Sequence, residues 1–241
     1  MKLARPNLFH PRIVLASCGL LLDSVRDGAG DDAGLVGALR KRGLHATWLA
    51  WDDPQTEKAD LVIVRAVSDL DDRREEFLAW TTRVRNLLNA PAVLAWNSGQ
   101  HYLADLTAAG VPVAPRGDRV KARATGLVFL GGEQSHAVSI SSSGKATAAE
   151  PDFELWDLGY AVLEAACVRV GMSRAELLCG RVDLIGGTDA PRVRGLDLIQ
   201  PDLSWRHLDI DTRAVQQRRF ALGVESACER LGLGPMSHRG P

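Results

Sequence analysis

The stretch Leu61 to Val67, LVIVRAV, constrains the fold more than any other part of the chain. It is almost wholly apolar and rich in β-branched residues, and such a run is stable as a strand covered on both faces. Similar runs flank it: Arg12 to Ser17 (RIVLAS), His45 to Trp51 (HATWLAW) and Ala92 to Trp96 (AVLAW). Segments with helical spacing lie between them. Leu35, Val36 and Leu39 lead to Gly43, a helix closed by a glycine. Asp69 to Asp72 can cap a helix from about Arg73 to Leu88, with Phe77, Trp80, Val84 and Leu87 on one face. Another helix is expected over His101 to Ala109, ending at Gly110 before a short strand, Val111 to Val113. Strands alternating with helices predict right-handed βαβ crossovers and a mainly parallel sheet. Residues 1–115 are therefore expected to form a doubly wound α/β domain.

The second half reads differently. Residues 116–125 are polar and basic and read as a linker. Gly126 to Leu130 and His136 to Ile140 are strands turned through Gly131-Gly132-Glu133. Ser141 to Glu150 is small and polar, a loop. Leu155 to Val170 is an amphipathic helix, Arg181 to Ile185 and Val193 to Ile199 form a second hairpin around Gly186-Gly187, and Asp211 to Leu231 is a closing helix. Hairpins and helices of this kind predict an α+β part over residues 126–241.

Several function classes are excluded by composition and motif. The formal net charge is -1, so no positive surplus marks a nucleic-acid partner. The clusters Arg40-Lys41-Arg42 and Arg116 to Arg123 read as a solvated helix end and a solvated loop. Cys18, Cys167, Cys179 and Cys228 form no C-x-x-C pair and lie in apolar segments, so they read as reduced core residues. No apolar run is long enough to span a bilayer, and the N-terminal residues lack a signal-peptide pattern, so a cytoplasmic location is expected. G-x-G-x-x-G after the first strand, a P-loop, G-x-S-x-G and paired zinc ligands are all absent.

The ordered set of short motifs resembles the ATP-grasp ligases, specifically the cyclo-ligase and RimK-like carboxylate-amine branch. The resemblance rests on Trp51-Asp52-Asp53-Pro54 before Leu61 to Arg65, on Glu76 to Trp80, and on Trp96-Asn97 with Tyr102 to Leu106 and Gly110 to Val113. It continues through Phe129 to Glu133 with Ser135 to Val138, Arg181-Val182-Asp183, and Leu196 to Ile199 before Pro201. It implies a pre-ATP-grasp-like domain over 1–115 and the remnant of an ATP-grasp domain over 126–241.

The same resemblance marks departures. The family places a nucleotide-covering subdomain between the strand matched by Gly110 to Val113 and the one matched by Phe129 to Glu133; here only the linker spans that gap. A phosphate-contacting lysine falls on Gln100, an arginine falls on Ser139, and three metal-binding acids fall on Gly195, Asp197 and Gln200. Acyl-phosphate chemistry depends on charge neutralisation by metal, lysine and arginine. The expectation is a degenerate ATP-grasp-like protein without ligase activity that binds a small acid or a protein partner, such as a complete ligase. The alternative is an ATP-dependent carboxylate-amine ligase, using ATP and Mg²⁺, whose nucleotide site another subunit completes. A third possibility is pairing between subunits through a sheet edge left bare by the lost subdomain.

The candidate residues follow. Asp183 and Asp197 are the surviving metal-ligand candidates; alternatively they are hairpin acids satisfied by Arg181 or Arg194. Arg65, Ser68 and Asn97, at the carboxyl ends of strands, are candidates for an anion or carboxylate site, with simple hydrogen-bonding roles as the alternative. Gln100 and His136 are further ligand-binding candidates, His136 reading more readily as a core or edge histidine than as a base. No residue is singled out as catalytic.

Overall fold

The computed structural model describes residues 9–28, 30–99, 101–115, 117 and 123–234. Gln100 and most of the expected linker lie outside the described residues. The chain forms a parallel sheet followed by an antiparallel one, with seven α-helices among the described residues.

The first sheet has the order β2-β1-β3-β4, all parallel. Its strands are β1 (Ile13–Ser17), β2 (Ala46–Ala50), β3 (Leu61–Ala66) and β4 (Leu87–Leu88). The β-branched run of β3 is buried from Leu61 to Arg65, as a strand covered on both faces must be. Around it lie α1 (Leu22–Arg26), α2 (Leu35–Lys41) and α3 (Arg74–Thr81). Gly43 ends α2 with φ +76°, a conformation open to glycine at little cost.

Two sequence expectations change here. The helix beginning near Arg73 stops at Thr81, and the chain returns to the sheet as β4. The run Ala92 to Trp96 is not a strand but the centre of helix α4 (Pro91–Asn97). Pro91 sits in its first turn, where the missing N–H costs nothing, and Val93, Leu94 and Asn97 turn inward at helical steps. Helix α5 (His101–Ala108) follows as expected.

The second sheet has the order β7-β6-β5-β8-β9 and is antiparallel. Its strands are β5 (Ala124–Leu130), β6 (Glu133–Ile140), β7 (Ala146–Ala149), β8 (Cys179–Ile185) and β9 (Arg192–Asp197). The expected hairpin at Gly131-Gly132 forms, both glycines taking positive φ. Ser141 to Glu150 is not all loop, because β7 pairs Ala146 with Ile140 and Ala149 with Ala137. Val113 joins this sheet through a single parallel bridge to Val193 rather than as a full strand.

Helix α6 (Phe153–Val170) covers one face of the second sheet. Gly159 lets it approach closely, since a Cβ there would lie 2.8 Å from the side chains of Leu127 and Phe129. Val93 of α4 and Leu106 of α5 enter the same apolar cluster as Val162, Leu163 and Val182. Helix α7 (Ile210–Arg230) packs between the sheets, its Phe220, Ala221 and Val224 sharing a cluster with Leu15, Ile63, Val128 and Leu130. Apolar packing is therefore continuous across residue 115. All four cysteines are buried and unbonded. Among the described residues no helix is long and apolar enough to cross a membrane.

Candidate functional site

Alternation along β5 and β8 places one set of polar side chains on the sheet face away from α6. Register sets Arg181 opposite Asp197 and Asp183 opposite Gly195. Arg181 is 8% exposed, and its Nε donates to Asp183 Oδ1 at 2.8 Å. Its Nη1 donates to the Asp202 carbonyl at 3.0 Å and to Ser204 Oγ at 2.9 Å. Gly126 makes room for this guanidinium: a Cβ there would lie 2.6 Å from Arg181 Nη2 and 3.0 Å from Asp183 Oδ1.

The acids around Arg181 are held by protein groups. Asp197 Oδ1 accepts the Ile199 and Gln200 amides at 2.9 and 3.0 Å, closing the turn after β9, while burial raises its pKa. Burial alone would also raise the Asp202 carboxyl, but the Arg206 fork and the Ser204 amide hold it down at about 2. Tyr102, Arg181, Asp183, Gly195, Leu196, Asp197 and Asp202 line a shallow cavity of about 420 Å³. Among the described residues no group of three or more His, Cys, Asp or Glu side chains is placed to hold a metal ion.

The other candidates do not converge on this cavity. Arg65 is 4% exposed and spans the two sheets: Nε and Nη2 reach Asp32 Oδ1 at 2.9 and 2.8 Å, and Nη2 also donates to the Pro201 carbonyl. Burial opposes its charge, and Asp32 more than restores it. Ser68 is exposed, with its hydroxyl 3.2 Å from the buried Cys18 sulfur. Asn97 clips α4 to β9, donating to the Leu196 carbonyl at 3.1 Å and accepting the Leu198 amide at 2.7 Å. Asn89, which sequence reasoning passed over, does the same at the end of β4, bonding the Cys179 and Leu198 carbonyls and the Leu178 amide. Gln200 binds the end of β3 through the Val67 amide and carbonyl.

His136 is 9% exposed, its Nε2 2.6 Å from the Leu203 carbonyl and its Nδ1 2.8 Å from Ser135 Oγ. Burial lowers its pKa, partly offset by Leu203, and Arg181 and Arg219 lower it further.

The short connection is the remaining feature. Ala114 and Ala124 share one buried cluster with Ile185, on which Ile140 also packs. The chain leaves the second sheet at Ala114, whose amide bonds the Val193 carbonyl at 2.8 Å, and is back in it at Ala124, opposite Ile185. Only residues 115–123 lie between.

Comparisons with known proteins agree with this architecture. Residues 13–89 match the family described as the D-cycloserine synthetase DcsG N-terminal domain. The cycloserine biosynthesis protein DcsG of Streptomyces lavendulae is 34% identical over 86 residues, a match covering 34% of this chain and 29% of that protein. The curated relative is thus matched over less than a third of its length. The crystal structure of D-cycloserine synthetase DcsG superposes with a TM-score of 0.73 at 21% identity, over 91% of this chain and 99% of that one. D-alanine–D-alanine ligase from Bacillus anthracis complexed with ATP gives 0.61 at 9% identity, over 92% and 98%. The ATP-grasp ligase PsnB, complexed with a phosphomimetic variant of its minimal precursor, Mg and ADP, gives 0.58 at 14%, over 90% and 99%. The chain has the ATP-grasp-like fold, with a DcsG-type N-terminal segment.

Proposed function

We propose that this chain, with its ATP-grasp-like fold and DcsG-type residues 13–89, does not perform ATP-dependent ligation by itself and acts as a binding protein. The reading is carried by the connection between Ala114 and Ala124. Both ends pack on Ile185, so the chain has residues 115–123 in which to build anything over the Arg181 face. Nine extended residues span at most about 30 Å, too little chain for a strand-and-turn lid over a triphosphate. The charges on that face point the same way. Arg181 is engaged with Asp183, Asp202 and Ser204, and Asp197 is engaged with backbone amides. A magnesium ion at Asp183 and Asp197 would have to displace the guanidinium and gain further oxygen ligands.

The ligand class follows from the cavity of about 420 Å³, which offers one guanidinium, several carboxylates and the Tyr102 hydroxyl. Such a lining suits a small molecule carrying both an acid and an amine, or a protein partner presenting the same groups on a flexible segment. The test is ADP release from ATP and Mg²⁺ with a panel of amino acids. The expected rate is background; turnover that Asp183→Asn abolishes contradicts the proposal.

One observation favours a second reading, a ligase whose nucleotide site another subunit completes. Asp183 and Asp197 both persist beside the cavity at the positions where the resemblance puts metal ligands. Mg-ATP titrated into the chain mixed with a complete relative distinguishes the two: that reading requires binding beyond what the relative alone gives.

A further inference from the structure

The register of β5 against β6 shifts between Val128 and Phe129: Val128 faces His136 and Phe129 faces Gln134. Ser135 is therefore the extra residue of a β-bulge. A bulge sets two successive side chains on one side of the strand, where regular alternation would send them to opposite faces. Its result here is a serine hydroxyl 2.8 Å from the neighbouring imidazole.

The tautomer follows from the partners. Nε2 lies 2.6 Å from the Leu203 carbonyl, which can only accept, so Nε2 carries the proton. In the neutral ring Nδ1 is then bare and accepts the Ser135 proton when the hydroxyl turns to it from Gln216 Oε1. Serine, imidazole and an orienting carbonyl form a nucleophile, a base and a fixing group within hydrogen-bond reach. Gln216 Oε1, 2.7 Å from the same hydroxyl, is the competing acceptor.

The dyad opens on space. Ser135 and His136 line a cavity of about 560 Å³ together with Trp156, Leu208, Pro151 and Ala148. Glu150 and Asp209 also line it, which disfavours anionic ligands. We propose that Ser135, with His136 as its general base, is an acylatable nucleophile for neutral or amine-bearing esters of short acyl chains. The site is separate from the Arg181 cavity and does not depend on the function proposed above.

In the step, Ser135 Oγ bonds to the ester carbonyl carbon while its proton passes to His136 Nδ1. The tetrahedral adduct collapses by breaking the bond to the alcohol oxygen, and the alcohol leaves with the proton from Nδ1. Water then repeats the sequence on the acyl-serine, losing a proton to Nδ1 and releasing the carboxylic acid and free Ser135. The imidazolium formed in each half keeps its Nε2 bond to Leu203. The charged groups acting on it are Arg181 from β8, Arg219 from α7 and Asp202 from the segment after β9.

The experiment uses the full chain with p-nitrophenyl acetate and, separately, diisopropyl fluorophosphate, read by released nitrophenol, intact mass and peptide mapping. The expected result is one adduct per chain on Ser135, absent from Ser135→Ala. Labelling should be about 100-fold slower in His136→Gln, the scale of a lost general base. Gln216→Leu, which removes the competing acceptor, should label faster than the parent. The rate should rise sigmoidally with pH and level off as His136 becomes neutral, with a midpoint below 6.5. No adduct on the parent chain, an adduct that persists in Ser135→Ala, or a rate that simply tracks hydroxide overturns the proposal. The first of these outcomes is read on the unmutated chain and does not depend on any variant folding.

Discussion

Arg181 donates its Nε–H to Asp183 at 2.8 Å while standing opposite Asp197 in the β8–β9 register. One guanidinium thus stands beside both acids of the shallow cavity. The pairing gives the chain a self-neutralised surface along β8 and β9.

Replacing Arg181 by Gln removes the charge that satisfies Asp183 and the bonds to the Asp202 carbonyl and Ser204. Hydrogen bonds to charged groups are worth about 1.5–3 kcal/mol each, and Asp183 remains partly solvated, so the expected loss is about 2–3 kcal/mol. Urea denaturation should show a lower midpoint with an unchanged slope. An unchanged midpoint means that the network contributes nothing to stability.

Arg65→Met should cost more. Its side chain and that of Asp32 are 2% and 9% exposed, and removing one partner of a buried pair costs about 3–5 kcal/mol. Arg65→Lys should recover little of it, because an ammonium cannot reach Asp32, the Pro201 carbonyl and the Cys179 sulfur in one planar geometry. A lysine variant as stable as the parent contradicts the fork assignment.

The amide clips predict a matched pair of effects. Asn89→Ala strands two carbonyls and an amide, and Asn97→Ala one of each. Each buried group left unpaired costs about 1–3 kcal/mol. Both variants should lose stability, Asn89→Ala the more. Chemical denaturation of the two side by side reads the order, and a reversed order contradicts it.

His136 gives the fold an acid-sensitive group. Its folded pKa lies below the unfolded value of 6.5, so the unfolded chain takes up the proton first as pH falls. Its contribution is nil well above pH 6.5, and stability is lost progressively between 6.5 and the folded pKa. Denaturation midpoints at pH 7.5 and 5.5 should fall more steeply in the parent than in His136→Asn. Equal slopes contradict the assignment.

Much of this was legible beforehand, for reasons that differ by residue. The strand at Leu61 followed from its short apolar run rich in β-branched residues, and the hairpin at Gly131-Gly132 from the need for positive φ. The run Ala92 to Trp96 misled because five apolar residues have no readable period; Pro91 was the available signal, since proline suits the first turn of a helix. The engagement of Arg65 could not be read. Its partner Asp32 lies far back in a glycine-rich loop that only tertiary packing brings near. Asn89 gave no signal, being a single polar residue between apolar neighbours. The bulge at Ser135 was equally hidden, because it is a mismatch between two strands and neither strand alone records it.

The proposed lack of ATP-dependent ligation turns on the short connection between Ala114 and Ala124. Calorimetric titration of the full chain with Mg-ATP up to millimolar concentration tests this most directly. The expected result is no saturable heat, and no rise in thermal midpoint beyond that given by magnesium alone. A saturable isotherm with a micromolar Kd, weakened by Asp183→Asn, contradicts it; at a hundredfold excess over such a Kd, binding should stabilise the fold by about 2.7 kcal/mol.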